Sequence, residues 1–197
     1  IYIRTDRGIE KPEDLKGKTV GVPEYQMTAA LWVRGTLQDE YGVAPSDISW
    51  RNGGLEEGGR EERAPLHLPD DIELKSISKT ETLAGHLDDG RIDALISARA
   101  PSCFRTNDQV VRLFPDYRTA EKKYFKKTGM FPIMHVIGIR RSLVDGHPGL
   151  ARNLFRAFAG ARNLAVRDIE KSAPASANRP PLPWPYGVAE NRKELDA

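Results

Sequence analysis

Cysteine is nearly absent from this chain. Cys103 stands alone, so no internal disulfide can form and the fold must rest on its core. No apolar run approaches the roughly 20 residues that a membrane helix needs. Neither sign of charge prevails: 30 Lys and Arg against 28 Asp and Glu leave a formal net charge of +2, with no dominant basic run. A phosphate-tracking surface concentrates Lys and Arg on one face, so nucleic-acid binding gains no support. A phosphate loop, a nucleophile elbow and a dinucleotide fingerprint are all missing. The four histidines, His67, His86, His135 and His147, are scattered without metal-ligand spacing, so no metal site is expected. The chain also opens on Ile1 rather than methionine, so it reads as a segment of a longer protein, and the absence of a visible signal peptide is uninformative.

What is present is ordinary for a globular α/β protein: 39% hydrophobic and 29% charged residues over 197 positions. Ile1–Arg4 reads as a strand, residues 11–17 as a short helical turn with a glycine stop, and Thr19–Val22 as a second strand. Ala30, Val33, Leu37 and Tyr41 fall on one face of a helix predicted over Thr28–Tyr41, with Gly42 as its C′ residue. Further strands are expected at 48–50, 73–77 and 92–96, and residues 52–71, rich in Gly, Glu and Pro, read as a surface loop. Ser78-Lys79-Thr80-Glu81 has capping-box form before Leu83 and Leu87, and that helix is expected to stop at Gly90. Residues 112–130 read as a connection, and Val136–Ile139 as a strand. Pro148 is expected to open a long helix with Leu150, Leu154, Phe158 and Ala161 on one face, and a Pro-, Ala- and Ser-rich tail follows Lys171. Alternating strands and helices imply a mainly parallel sheet, whose ligands gather beyond the carboxyl ends of the strands. That rule selects the loops at 23–28 and 97–101.

The first of these loops runs into a helix N-terminus, where free N–H groups and the positive dipole end favour an anion. Tyr25, Gln26 and Thr28 offer further donors there. The plainer alternative is that Thr28 caps the helix while Tyr25 packs, and both readings stand. Arg34, six residues on, and Arg99, in the second loop, are candidate carboxylate partners, because a guanidinium fork matches two carboxylate oxygens. Most arginines are simply solvated; the loop position favours Arg99. His135 sits after the Phe131-Pro132 turn. A lone histidine beside an apolar strand is commonly structural, yet this one is also a candidate proton donor or carboxylate partner. Cys103 has no evident base partner, which argues against a thiol nucleophile.

Several blocks carry a resemblance. They are residues 12–18 with 20–25, Thr28-Ala29 with Trp32-Val33-Arg34-Gly35, and residues 39–43, 90–96, 113–117 and 128–135. Trp184-Pro185-Tyr186-Gly187-Val188 with Asn191-Arg192 adds another near the C-terminus. Together they resemble the 4,5-dihydroxyphthalate decarboxylase family, with Trp-Val-Arg-Gly and Phe-Pro-Ile-Met-His as the specific elements. The family also carries an N-terminal lobe segment ahead of the position where this chain begins.

The resemblance implies an α/β, two-lobed fold of the type II periplasmic-binding-protein kind, one lobe complete and the other partial. Residues 1–16 would be the end of lobe 1 and a crossover, 17–112 lobe 2, and 113–197 the return crossover, a lobe 1 strand and helix, and the tail. It implies cofactor-independent decarboxylation of 4,5-dihydroxyphthalate to protocatechuate, with His135 as catalytic acid and Tyr25, Gln26, Thr28, Arg34 and Arg99 binding the substrate. The partner would be a small aromatic carboxylate, with homo-oligomerisation left open. A solute-binding protein of an ABC-type transporter for a small organic anion is the rival from another class, since the same fold serves both. The enzyme would be cytoplasmic and the receptor periplasmic. A catalytically silent fragment is the third option.

Overall fold

The computed structural model describes residues 1–172, with side chains through residue 168. The chain divides into two compact units, Ile1–Met134 and the part from His135 onward.

The first unit is built on one mixed sheet of six strands: β1 (Tyr2–Arg4), β2 (Thr19–Val22), β3 (Ser49–Asn52), β4 (Leu74–Ser76), β5 (Ala94–Leu95) and β6 (Val110–Arg112), ordered β4-β3-β2-β5-β1-β6. Strands β4, β3, β2 and β5 run parallel, with Val20 opposite both Trp50 and Ala94. The expectation of a mainly parallel sheet therefore holds for these four, while β1 is antiparallel to both β5 and β6. Two buried clusters lie on opposite faces of this sheet. Ala94 and Ile96 belong to the cluster with Val20, Val22, Leu37 and Trp50, whereas Leu95 between them belongs with Leu83, Leu87 and Ile92. Alternation along a strand sends neighbours to opposite sides, so α1 (Thr28–Tyr41) and α2 (Leu83–Asp88) cover the sheet from its two faces.

Gly21 makes the second of these packings close. A Cβ there would lie 2.7 Å from Ile92 Cδ1 and 3.1 Å from Leu83 Cδ2. Helix α1 spans the residues that its periodicity predicts, and Gly42 ends it in the left-handed conformation at φ 64°. Its cap differs from expectation. Met27 occupies the N-cap position without a side-chain hydrogen bond, and Thr28 is the first helical residue and exposed.

Helix α2 begins later than the Ser78 capping box implies. Thr82 is the N-cap, its hydroxyl accepting from Gly85 N at 3.1 Å. Leu83 N and Ala84 N donate to the carbonyls of Gly54 and Leu55, so the 54–55 loop supplies acceptors that the local sequence cannot. The Ser78 hydroxyl lies 3.1 Å from that of Thr80 instead.

Residues 112–130 are not a plain connection. They contain the end of β6 and α3 (Tyr117–Thr128), capped by Asp116, whose carboxylate accepts from Thr119 N, and closed by Gly129 at φ 65°. This helix buries none of its residues fully, which explains its weak hydrophobic pattern. Lys127 Nζ pairs with Glu40 at 2.6 Å, and Trp32 Nε1 donates to Ile133 O at 3.0 Å, joining α1 to the segments that follow β6.

The second unit contains α4 (Arg141–Gly146) and α5 (Leu150–Ser172). The long helix is present as expected and starts two residues after Pro148. The strand expected at Val136–Ile139 is not. That segment is irregular, with Val136 85% exposed, and without a ladder partner an extended run gains nothing over water for its backbone groups. Phe155, Phe158 and Leu164 on α5 are exposed. Among the described residues no helix is long and apolar enough to cross a membrane. The Trp184–Val188 and Asn191–Arg192 blocks lie outside the described residues.

Candidate functional site

Because β2, β3, β4 and β5 are parallel, their carboxyl ends open on one edge of the sheet. The Pro23–Met27 loop leaves β2 there, and the Ser97–Pro101 loop leaves β5 at the same edge. A cavity of about 520 Å³ opens beside β3 and β4, lined among others by Asn52, Gly53, Arg60, Glu62, Ser76 and Lys79.

Arg34 reaches back from α1 toward the β2 loop. Its side chain is buried, its Nη1 donates to the Tyr25 carbonyl at 2.6 Å, and its guanidinium carbon lies 3.7 Å from the Tyr25 ring centroid. The Tyr25 ring in turn meets Trp50 edge-on, centroids 5.4 Å apart. Burial lowers the pKa of the Arg34 guanidinium, and the Tyr25 and Glu62 side chains act against that shift. Burial also raises the pKa of the Tyr25 phenol. Among the described residues Arg34 has no carboxylate within ion-pair distance, so a buried cation here is held by a π face and one carbonyl.

The amides of the β2 loop are already engaged. Glu62 accepts from Tyr25 N and, at 3.4 Å, from Gln26 N, and its Oε1 also accepts from Asn52 Nδ2 at 3.2 Å. Gln26 Nε2 donates to Ala64 O at 2.6 Å, tying the same segment down. Alongside, the buried Glu24 carboxylate accepts from Arg60 Nε at 2.7 Å and lies 3.5 Å from Arg63 Nε. Asn52 is 4% exposed, and among the described residues its Oδ1 has no hydrogen-bond partner.

Of the residues selected from sequence, Tyr25, Gln26 and Arg34 are thus gathered around one loop. Thr28 is exposed on the first turn of α1. Arg99 is exposed on the β5 loop, its backbone N donating to Ser97 Oγ at 3.2 Å. His135 is exposed in the second unit, in irregular structure. Asn52 and Glu62 escaped notice because they fall in or beside the segment 52–71, which looks like surface. A polar residue closing a buried strand was the available signal. Cys103 is buried, and burial with the nearby Asp88 and Glu56 carboxylates pushes its thiol up to about 11, which removes it from nucleophile chemistry. Among the described residues no group of three or more His, Cys, Asp or Glu could hold a metal ion.

No family model matches the chain. Two curated proteins do. A protein of Comamonas testosteroni named 4,5-dihydroxyphthalate decarboxylase is 40% identical over 211 aligned residues, covering 100% of this chain and 64% of the relative. A protein of the same name from Pseudomonas putida is 48% identical over 127 residues, covering 64% of this chain and 49% of the relative. The chain is similar to both of these proteins over the aligned residues. It spans 64% of the length of the first relative and 49% of the second. The resemblance read from the Trp-Val-Arg-Gly and Phe-Pro-Ile-Met-His blocks points to these same proteins.

Proposed function

We propose that the protein is a cofactor-independent carboxy-lyase that converts 4,5-dihydroxyphthalate to protocatechuate. The observation that carries this reading is the 40% identity along the whole chain to a protein of that name. The β2 loop supports it chemically: it already holds a carboxylate on backbone amides beside an arginine that has no ion-pair partner among the described residues. In the proposed reaction an acid protonates the ring carbon that bears one carboxylate. The hydroxyl para to that carbon stabilises the cationic ring, the carbon–carbon bond then breaks, and its electron pair returns to the ring as carbon dioxide leaves. The protein's part is to hold two carboxylates, aim the acid and favour the charge that develops. Arg34, with the Tyr25–Thr28 segment, is assigned to one carboxylate, Arg99 to the ligand as a second cation, and His135 to the proton.

The finer fold belongs to the same proposal. A lobe with β1 inserted antiparallel among parallel strands, followed by a separate unit from His135, supports a two-lobed type II periplasmic-binding-protein reading. The division into 1–16, 17–112 and 113–197 is proposed with it.

Incubation with 4,5-dihydroxyphthalate in deuterium oxide tests the function. Protocatechuate with one ring deuterium at the vacated carbon, and an equal amount of carbon dioxide, are expected. Tight binding of the substrate without any carbon dioxide would sink the enzymatic reading and favour a binding protein.

A further inference from the structure

Glu62 sits where an anionic ligand would. Two successive backbone amides, Tyr25 N and Gln26 N, and the side-chain amide Asn52 Nδ2 converge on its carboxylate. Three N–H donors converging on one carboxylate make an anion site, and here the chain's own side chain fills it. Glu62 comes from the segment between β3 and β4 rather than from the sheet, and its residue is half-buried. The receiving groups differ in kind: Tyr25 and Asn52 are only 6% and 4% exposed, on the β2 loop and at the end of β3. A fixed cradle is therefore occupied by a side chain from a longer, less regular segment.

A second, independent observation concerns Asn52. Because its Nδ2 faces a carboxylate, the orientation of the amide is set, and Oδ1 is then the atom left without a donor among the described residues. A buried carbonyl oxygen without a partner is left both desolvated and unsatisfied, so it calls for a donor. Asn52 also lines the 520 Å³ cavity.

We propose that the Tyr25 and Gln26 amides with Asn52 form a carboxylate subsite that Glu62 fills as a displaceable stand-in, and that Asn52 Oδ1 receives a hydroxyl proton of the same ligand. The ligand class is an aromatic acid bearing both a carboxylate and a phenol. This rests on the reading that the protein takes a small aromatic carboxylate, but it does not require turnover. Ligand entry releases Glu62 to solvent, so part of the binding energy is spent in opening the cradle. The Glu62 carboxylate competes with the ligand, and removing its charge should raise affinity.

Calorimetric titration with phthalate, which has carboxylates and no hydroxyl, tests the competition. Glu62→Gln is expected to bind phthalate about tenfold more tightly than the wild type, the size of effect that loss of one charge-assisted contact produces. Unchanged or weaker binding by a folded Glu62→Gln overturns the stand-in role. To guard against a misfolded variant, wild-type protein labelled with ¹⁵N is titrated with phthalate. The Tyr25 and Gln26 amide resonances should move first, and if they stay fixed while phthalate binds, the subsite is refuted. Asn52→Leu tests the hydroxyl role. The wild type should prefer 4,5-dihydroxyphthalate over phthalate, and the variant should lose that preference; a preference that survives removes Asn52 from the proposal. Phthalate displacement without any decarboxylation would leave the subsite standing and refute only the activity.

Discussion

Arg34 places its guanidinium carbon 3.7 Å from the centre of the Tyr25 ring while donating to the Tyr25 carbonyl at 2.6 Å. One residue thus grips both the side chain and the backbone of the loop that carries the anion-binding amides. The stack works because a guanidinium is planar and weakly hydrated, so it tolerates burial that an ammonium would not. Desolvation still opposes the charge, and this is the cause of its lowered pKa.

Arg34→Lys is therefore expected to destabilise the protein, by about 1–3 kcal/mol, through loss of the stack and the fixed fork. Arg34→Met keeps the apolar stem and buries no charge, so it should cost less than the lysine. Both variants should weaken phthalate binding. Denaturant unfolding and calorimetry separate the two effects, and a methionine as damaging as the lysine would show that desolvation of the charge is not the main cost.

A second expected outcome concerns the contact between β2 and α2. Gly21→Ala introduces a methyl 2.7 Å from Ile92 Cδ1 and 3.1 Å from Leu95 Cδ1, in the middle of a buried cluster. Overpacking of this kind costs about 1–3 kcal/mol, because side chains must leave their preferred rotamers. The loss should appear as a lower denaturant midpoint with an unchanged slope. A neutral Gly21→Ala would mean that α2 moves away freely and that the packing is loose.

The buried thiol gives a pH prediction. Cys103 has its pKa raised from 9.0 to about 11, chiefly by burial, with Asp88 and Glu56 adding to it. The unfolded thiol therefore loses its proton first as pH rises. Between roughly pH 9 and pH 11 the unfolded state binds fewer protons than the folded one, so stability falls as pH rises through that window and is unaffected below it. Cys103→Ala should remove this component. At pH 8 the native thiol should react with an aromatic disulfide reagent far more slowly than the same thiol in denaturant. Equal rates would place Cys103 at the surface.

Helix α1 and the strands β2 to β5 are legible in the sequence because their signals are local: Ala30 and Leu37 at helical spacing, Gly42 as a stop, and the β-branched run at 19–22. Helix α3 is hidden because its twelve residues include Arg118 and four lysines and bury no residue fully. The strand expected at Val136–Ile139 fails for the opposite reason, since apolar β-formers make a strand only where a ladder partner exists. In the site, the Tyr25 loop follows from its place after a parallel strand. Glu62 could not be foreseen, because its partners lie 37 and 10 residues away in the chain and only the fold brings them together. Asn52 is similar: its sequence neighbours say strand end, while its role depends on a carboxylate from another segment.

The last prediction concerns His135, the residue assigned to the proton. It is exposed, and it follows Phe131-Pro132-Ile133-Met134, where regular structure has given way to an irregular segment. Because it is exposed, His135→Asn should leave the unfolding free energy within about 0.5 kcal/mol of the wild type. Asparagine keeps a hydrogen-bonding group but has no proton to give. A general acid contributes about 10²–10⁴-fold, so turnover of 4,5-dihydroxyphthalate should drop by that factor. Phthalate affinity should be nearly unchanged, since proton transfer belongs to the transition state and not to the bound ground state. The two readouts together decide the role. Loss of turnover with retained affinity and stability assigns the proton to His135. Loss of affinity in step with turnover makes it a carboxylate ligand, and unchanged turnover leaves it outside the chemistry.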